Sequence, residues 1–300
     1  MFDSLRQFFE PALIGLFLVA AICYAVYRMS FAKSIQQALK AADNQYAKPR
    51  DKKQKQAYRL AKMQALEAEL NTGVKRKVYF FADLFWILLI VVGVRSFLYE
   101  PFVIPSRSME PGLLVGDVLV VNKFSRGLRL PITNSRLTDG APIARGDVLV
   151  FKYPKDPSQS YIKRVIGLPG DVVYYDNRRM TLNGEPVVLE KTNETQQQTV
   201  LNTAGQAVTV NYEVLNENLG GYSHTIQYSQ YPPNQYRPRE WRVPEGQYLV
   251  MGDNRDNSAD GREFGFVDDS LVIGKAARVI LNFDCFKGDG NCDRFFKKIW

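Results

Sequence analysis

The sequence predicts a mainly β domain of antiparallel sheets, carrying an inserted β subdomain and joined to two N-terminal transmembrane α-helices. Three observations predict this. Phe8–Tyr27 and Val78–Leu98 are apolar runs, each near the roughly 20 residues that cross a bilayer core. After Glu100 the texture changes to short β-rich runs broken by Gly, Pro, Asn and Asp. From Asp176 to about Pro238 a more polar stretch, rich in Gln, Asn and Thr, interrupts those runs. The expected division is an anchor over 1–99 and a folded domain over 100–300, with the insert at about 176–238.

Charge orients the anchor. The chain carries a net +8, and residues 28–77 alone hold 13 Lys or Arg against four Asp or Glu. The remainder holds 26 basic and 27 acidic residues, so the large domain is not basic and nucleic acid is not an expected partner. A basic loop between two apolar runs is the positive-inside signature. It places 28–77 in the cytoplasm, with the N-terminus and everything after about Tyr99 outside. A cleavable leader would carry its positive charge before the apolar run, whereas here only Arg6 precedes it, beside Asp3 and Glu10. Phe8–Tyr27 is therefore expected to be a retained anchor. Within the loop, Leu60, Met63, Leu66 and Leu70 share a stripe and predict a helix over 57–70.

The β domain is marked by turn-then-strand runs at Gly116–Val121, Gly146–Phe151 and Gly170–Tyr175, each beginning Gly-Asp-Val. Tyr161–Leu168, Gln247–Gly252 and Gly274–Phe283 read as further strands. Of three cysteines, Cys23 lies inside the first apolar run as a packing residue. Cys285 and Cys292 flank a Gly-rich loop and read either as a disulfide or as two neighbouring free thiols.

His224 is the only histidine, so a Ser–His–Asp triad is excluded unless His224 itself serves. A serine would otherwise need another base, and a lysine buried among apolar neighbours can supply one because burial lowers its pKa. Lys163 in Tyr161–Leu168 fits: strand alternation puts Tyr161, Lys163 and Val165 on one face and Ile162, Arg164 and Ile166 on the other. The competing reading, a charge guarding an edge strand, weighs equally on pattern. Ser106 and Ser108 stand between Pro105 and Pro111, where neither a regular helix nor a central strand can form. That segment reads as a nucleophile loop or as a plain linker. Ser108 follows Leu98 by ten residues, within about 35 Å of the helix end even when fully extended. Met251–Val267 is rich in Asp, Asn, Arg and Ser. Counted from Asp256, it departs from a calcium loop at the twelfth position, Val267, and reads better as a hydrogen-bonded network. Ser30–Lys33 matches S-x-x-K but lacks the accompanying triplets.

Three segments together, Pro105–Pro111, Arg145–Asp171 and Met251–Val267, resemble the boxes of the bacterial type I signal peptidase family, the Ser–Lys leader peptidases. The two anchors, the basic loop and the order of the boxes extend the resemblance over most of the chain. It implies a serine endopeptidase of the bacterial inner membrane that removes N-terminal signal peptides, cutting after small residues at −1 and −3. In that family Ser108 would be the nucleophile and Lys163 the general base. Ser106 would assist the oxyanion hole with the Ser108 N–H, and Ser258 would orient the lysine. Asp260 and Arg262 would form a supporting ion pair, with Asp253 and Arg255 in the same loop. Phe102, Ile104, Met109, Leu113, Tyr161 and Ile162 match the residues lining the substrate cleft. The implied partners are precursor proteins and the lipid bilayer, with contact between the basic loop and the translocation machinery left open. No metal or cofactor is called for, and a monomer is the default. The sequence departs from the pattern at Gly112, Gly261 and Arg107, the last placing a charge beside the cleft. A LexA-like autoprotease and an inert membrane adaptor are the alternatives; the apolar spans disfavour the first.

Overall fold

The computed structural model describes residues 2–46, 51–127, 138–201, 205–231, 238–287 and 292–299. They fall into two compact units, Met1–Arg95 and Ser96–Trp300.

The first unit is helical: α1 (Phe2–Ser30), α2 (Ala32–Gln45), α3 (Lys52–Glu69) and α4 (Gly73–Gly93). Two stretches are long and apolar enough to cross a membrane, Pro11–Ser30 and Gly73–Ser96, with mean hydropathies of 2.0 and 2.1. They pair through aromatic rings, with Phe85 stacked 4.6 Å from Tyr24 and Tyr79 edge-on to Tyr27. Leu18, Ile22, Phe80, Trp86, Ile87 and Ile90 remain exposed, as lipid-facing residues do. α4 starts five residues before the apolar run, because Thr72 caps it by accepting from the Lys75 N–H. Hydropathy does not register that cap. The expected loop helix is α3, extended to Lys52 by an Asp51 cap. α2 was not foreseen; Tyr58 and Lys62 of α3 hold it through Asp43.

The second unit is β. Its strands are β1 (Tyr99–Val103), β2 (Asp117–Asn122), β3 (Val148–Tyr153), β4 (Asp156–Gly167), β5 (Val172–Asp176), β6 (Arg179–Leu182) and β7 (Glu185–Pro186). There follow β8 (Val188–Leu201), β9 (Ala207–Asn218), β10 (Ser223–Ser229), β11 (Arg239–Arg242), β12 (Gln247–Met251), β13 (Val267–Asp268) and β14 (Val272–Asn282). A short helix, α5 (Gly261–Phe264), precedes β13. Among the described residues every ladder between these strands is antiparallel, as expected. The main sheet has the order β1-β2-β14-β3-β4-β12-β13. β5, β6, β7 and β11 make a second sheet, and β8, β9 and β10 a third. The polar stretch 176–238 is thus shared: its first strands join β5, and only β8–β10 form a sheet of their own.

The three Gly-Asp-Val runs have one physical origin. Gly116, Gly146 and Gly170 take φ of +84°, +86° and +86°, which only glycine adopts freely. The following aspartate closes each turn twice. The N–H groups of Asp117, Asp147 and Asp171 donate to the carbonyls of Leu114, Ala144 and Leu168. Their carboxylates accept the N–H groups of those same three residues. The first two turns deliver their Val runs into the largely buried β2 and β3, and the third into β5, where buried and more exposed residues alternate.

The C-terminal segment is tied back to this sheet. Arg294 is buried and pairs with Asp117, which also accepts from Asn282 Nδ2 at 2.8 Å. Cys285 and Cys292 are joined in a disulfide. The residues 288–291 between them lie outside the described ones.

Candidate active site

Ser108 sits on a single 3-10 turn, Arg107–Met109, entered from Ser106 in extended conformation. Both ends of the segment are held by backbone. The Ile104 N–H donates to Asp117 O at 2.8 Å, and Asn254 N–H donates to Ser108 O at 3.1 Å. Asn254 Nδ2 also donates to Arg107 O at 3.1 Å. The residues just after β12 therefore clamp the serine turn. Gly252 makes this approach possible: a Cβ there would stand 2.4 Å from Ser108 O and 2.2 Å from Ser258 Oγ.

Lys163 lies on β4, between β3 and β12, and is only 4% exposed. A charge guarding an edge strand would need an edge, so that reading is overturned. Lys163 Nζ donates to Ser108 Oγ at 2.7 Å and to Ile162 O at 2.9 Å. Ser106 Oγ stands 3.2 Å from Ser108 Oγ. Burial pushes the Lys163 pKa down to about 8, against the opposing pull of Asp260 and Asp253. The group is thus partly neutral near physiological pH and touches a hydroxyl, the geometry of a base and its nucleophile.

Asp260 is fully buried and grips Arg262, Oδ1 to Nε at 2.9 Å and Oδ2 to Nη2 at 2.8 Å. It also accepts the Gly252 N–H and caps α5 through the Arg262 N–H. Burial pushes its carboxyl up, but Arg262 and these hydrogen bonds outweigh burial and hold it below the usual range. Asp253 and Arg255, two apart in sequence, pair with different partners. Asp253 takes Arg164 bidentately, at 2.8 and 2.7 Å. Arg255 takes Glu217 of β9, Nη1 to Oε1 at 2.6 Å. Arg164 and Glu217 were not singled out from sequence. Arg164 had a local signal, a charge in a buried strand beside Lys163; Glu217 had none, since it comes from the polar insert.

His224 belongs to this layer. Its Nε2 lies 3.3 Å from Glu217 Oε2 and 3.7 Å from Asp253 Oδ1. Burial, together with Arg164 and Arg255, drives its pKa well below the ordinary value, so it stays neutral. Its contacts are with the ion pairs and Tyr222, away from Ser108. Removing one member of a buried pair strands its partner's charge, at about 3–5 kcal/mol. Glu217→Ala is therefore expected to lower the unfolding free energy by about that much. Denaturant unfolding measures it, and a loss below about 1 kcal/mol would mean that water satisfies Arg255.

One implied contact is absent. Ser258 Oγ is buried with no hydrogen-bond partner among the described residues, and it does not bond Lys163. Ser258 packs over Gly252 instead, while Lys163 Nζ is taken by Ser108 and Ile162. Phe102, Ile104, Met109, Leu113 and Ile162 gather in one buried cluster beside the serine turn. Tyr161 falls on the other face of β4, against Phe151 and Val165, and stacks on Tyr153 at 4.4 Å. Gly112 has room for a Cβ, 3.4 Å from Asp253 Oδ2. At Gly261 a Cβ would meet Val250 O at 2.7 Å, so that departure suits the close approach of α5 to β12. A cavity of about 580 Å³ opens behind Pro111–Leu114; neither Ser108 nor Lys163 lines it.

The chain matches the family model described as signal peptidase, peptidase S26, over residues 77–281. It is 44% identical over 210 residues to signal peptidase I of Pseudomonas fluorescens, covering 66% of this chain and 70% of that protein. It is 41% identical over 213 residues to signal peptidase I of Pseudomonas aeruginosa, with the same 66% and 70% covered. With signal peptidase I of Buchnera aphidicola from Acyrthosiphon pisum, identity is 34% over 244 residues, covering 70% and 78%. The matched region contains the serine turn, β4 and the loop after β12, so the chain belongs to the signal peptidase family, peptidase S26, as a membrane-anchored serine peptidase that removes signal peptides from precursor proteins.

Proposed function

We propose that the chain cleaves precursors by a Ser108–Lys163 dyad, with specificity for small residues at −1 and −3. The observation that carries this is the 2.7 Å contact between Lys163 Nζ, buried and with a lowered pKa, and Ser108 Oγ. Neutral Lys163 takes the Ser108 proton as Oγ attacks the carbonyl of the −1 residue. Oxyanion charge falls to the Ser108 N–H and the Ser106 hydroxyl. The ammonium then protonates the departing amine of the mature protein. Water attacks the acyl-enzyme, giving a proton to Lys163; the ammonium passes it to Ser108 Oγ as the acyl bond breaks, releasing the signal-peptide carboxylate and restoring the dyad.

Around this dyad, Asp260–Arg262 and Asp253–Arg164 brace the loop that clamps the serine turn. The cluster of Phe102, Ile104, Met109, Leu113 and Ile162 would supply the shallow apolar subsites, while Tyr161, on the opposite face of β4, would not line them. The proposed organisation is an anchor over 1–99 and a catalytic domain over 100–300 carrying the 176–238 insert. The basic loop 28–77 faces the cytoplasm and the catalytic domain faces outside. The Cys285–Cys292 disulfide favours that side, because such bonds persist in oxidising compartments. The enzyme acts as a monomer in the bacterial inner membrane.

Reaction of the detergent-solubilised protein with a serine-acylating inhibitor, followed by peptide mapping, tests this reading. The adduct is expected on Ser108, and sequencing of the mature product is expected to place the cut after a small residue. An adduct on another serine, or cuts indifferent to the −1 side chain, would overturn it.

A further inference from the structure

Arg107, between the two serines of the turn, is the residue whose contacts lead away from the apolar cluster. Its carbonyl is fixed by Asn254, and its Nη1 donates to Gln198 Oε1 and to Thr199 O, each at 3.4 Å. Gln198 in turn donates from Nε2 to Glu110 Oε2. The serine turn is thereby joined to β8, one of the two edge strands of the three-stranded sheet. Arg107 Nε and Nη2 make no hydrogen bond among the described residues, so part of the guanidinium fork stays available. Glu110 is the acid that feels its field, and Glu110 is buried and engaged by Gln198.

A substrate on Ser108 is constrained from both sides. Small side chains before the cut turned to the Phe102–Ile162 cluster would leave the Arg107 and β8 side of the serine turn for the chain after it. We propose that the segment following the cut adds to the β8 edge, and that Arg107 selects an acidic side chain in its first few residues. Edge addition supplies affinity through main-chain bonds, and a single cation at the entrance supplies charge discrimination. This rests on the Ser108 reading and deepens it, by naming the substrate class on the mature side: precursors whose mature N-terminus is acidic.

The test uses the full-length protein in detergent and three precursor peptides that differ only at +2, carrying Asp, Asn or Lys. The readout is the ratio of kcat/KM for the Asp peptide to that for the Lys peptide. Wild type is expected to favour Asp by roughly five- to tenfold, the scale of one partly exposed charge. Arg107→Gln should bring the ratio near one, and Arg107→Glu should invert it. A ratio that does not respond to either variant overturns the proposal. So does an equal fall for all three peptides, which would make Arg107 only a brace for the serine turn. The β8 part has its own readout. Bound to Ser108→Ala protein, a precursor with a photo-crosslinking residue at +3 is expected to label β8, and labelling elsewhere overturns it. Cleavage that survives Ser108→Ala would instead sink the dyad reading itself, so the two failures are distinguishable.

Discussion

Ser108→Ala and Lys163→Met proteins are expected to leave a signal-bearing precursor uncut, each losing about 10⁴-fold or more in kcat/KM. The two losses should not add when combined, because the hydroxyl and the amine act as one unit. The wild-type rate should rise with pH through about 8, where buried Lys163 loses its proton, and the rise should be missing from whatever residual activity Lys163→Met retains. The two variants separate in stability. The Lys163 pKa is about 8 folded, against 10.5 for a free lysine. Between those values the unfolded chain binds the extra proton, so native stability increases with pH across that window. Below pH 8 the full cost of burying the ammonium, about 3 kcal/mol, is present in the wild type. Lys163→Met removes it and should be more stable by up to about that amount at pH 7, the gain fading towards pH 10.5. Unfolding measured at both pH values checks the sign. Equal cleavage by all three proteins would place the activity in another protein, and a folded wild type that cuts no precursor would support the inert adaptor.

Gly252→Ala is expected to cost about 100-fold in kcat/KM while leaving a folded protein. The new Cβ would stand 2.4 Å from Ser108 O, and that carbonyl cannot easily retreat because it accepts the Asn254 N–H. The other clash, with Ser258 Oγ, is relieved by side-chain rotation. The serine turn must therefore move, by something near 1 Å, and displacement of that order in a reacting group is what lowers rates a hundredfold. Labelling by the acylating inhibitor should slow in parallel with cleavage. If the variant cleaves normally, the clamp between β12 and the serine turn is looser than the contacts state, and Gly252 has no positioning role.

Most of the architecture was legible in the chain because it follows local rules. The spans come from the length of apolar runs, and the strands after each Gly-Asp pair come from a turn that one glycine and one carboxylate close. The candidate residues were legible through a resemblance spread over three short segments, which by pattern alone left Lys163 and the serine loop undecided. What the sequence by itself determined was which short segments hold the candidate residues, which elements are helix or strand, and where along the chain the basic residues concentrate. Only the tertiary structure decided that β4 is an interior strand, which turns Lys163 from an edge charge into a buried amine. It alone matched Asp253 with Arg164 and Arg255 with Glu217, left Ser258 without the lysine, and brought β8 to Arg107. The Asp253–Arg164, Arg255–Glu217 and Arg107–β8 contacts join residues 38 to 92 apart in sequence. Burial and pairing at that distance follow from how the sheets close on one another, and no local pattern of side chains encodes it.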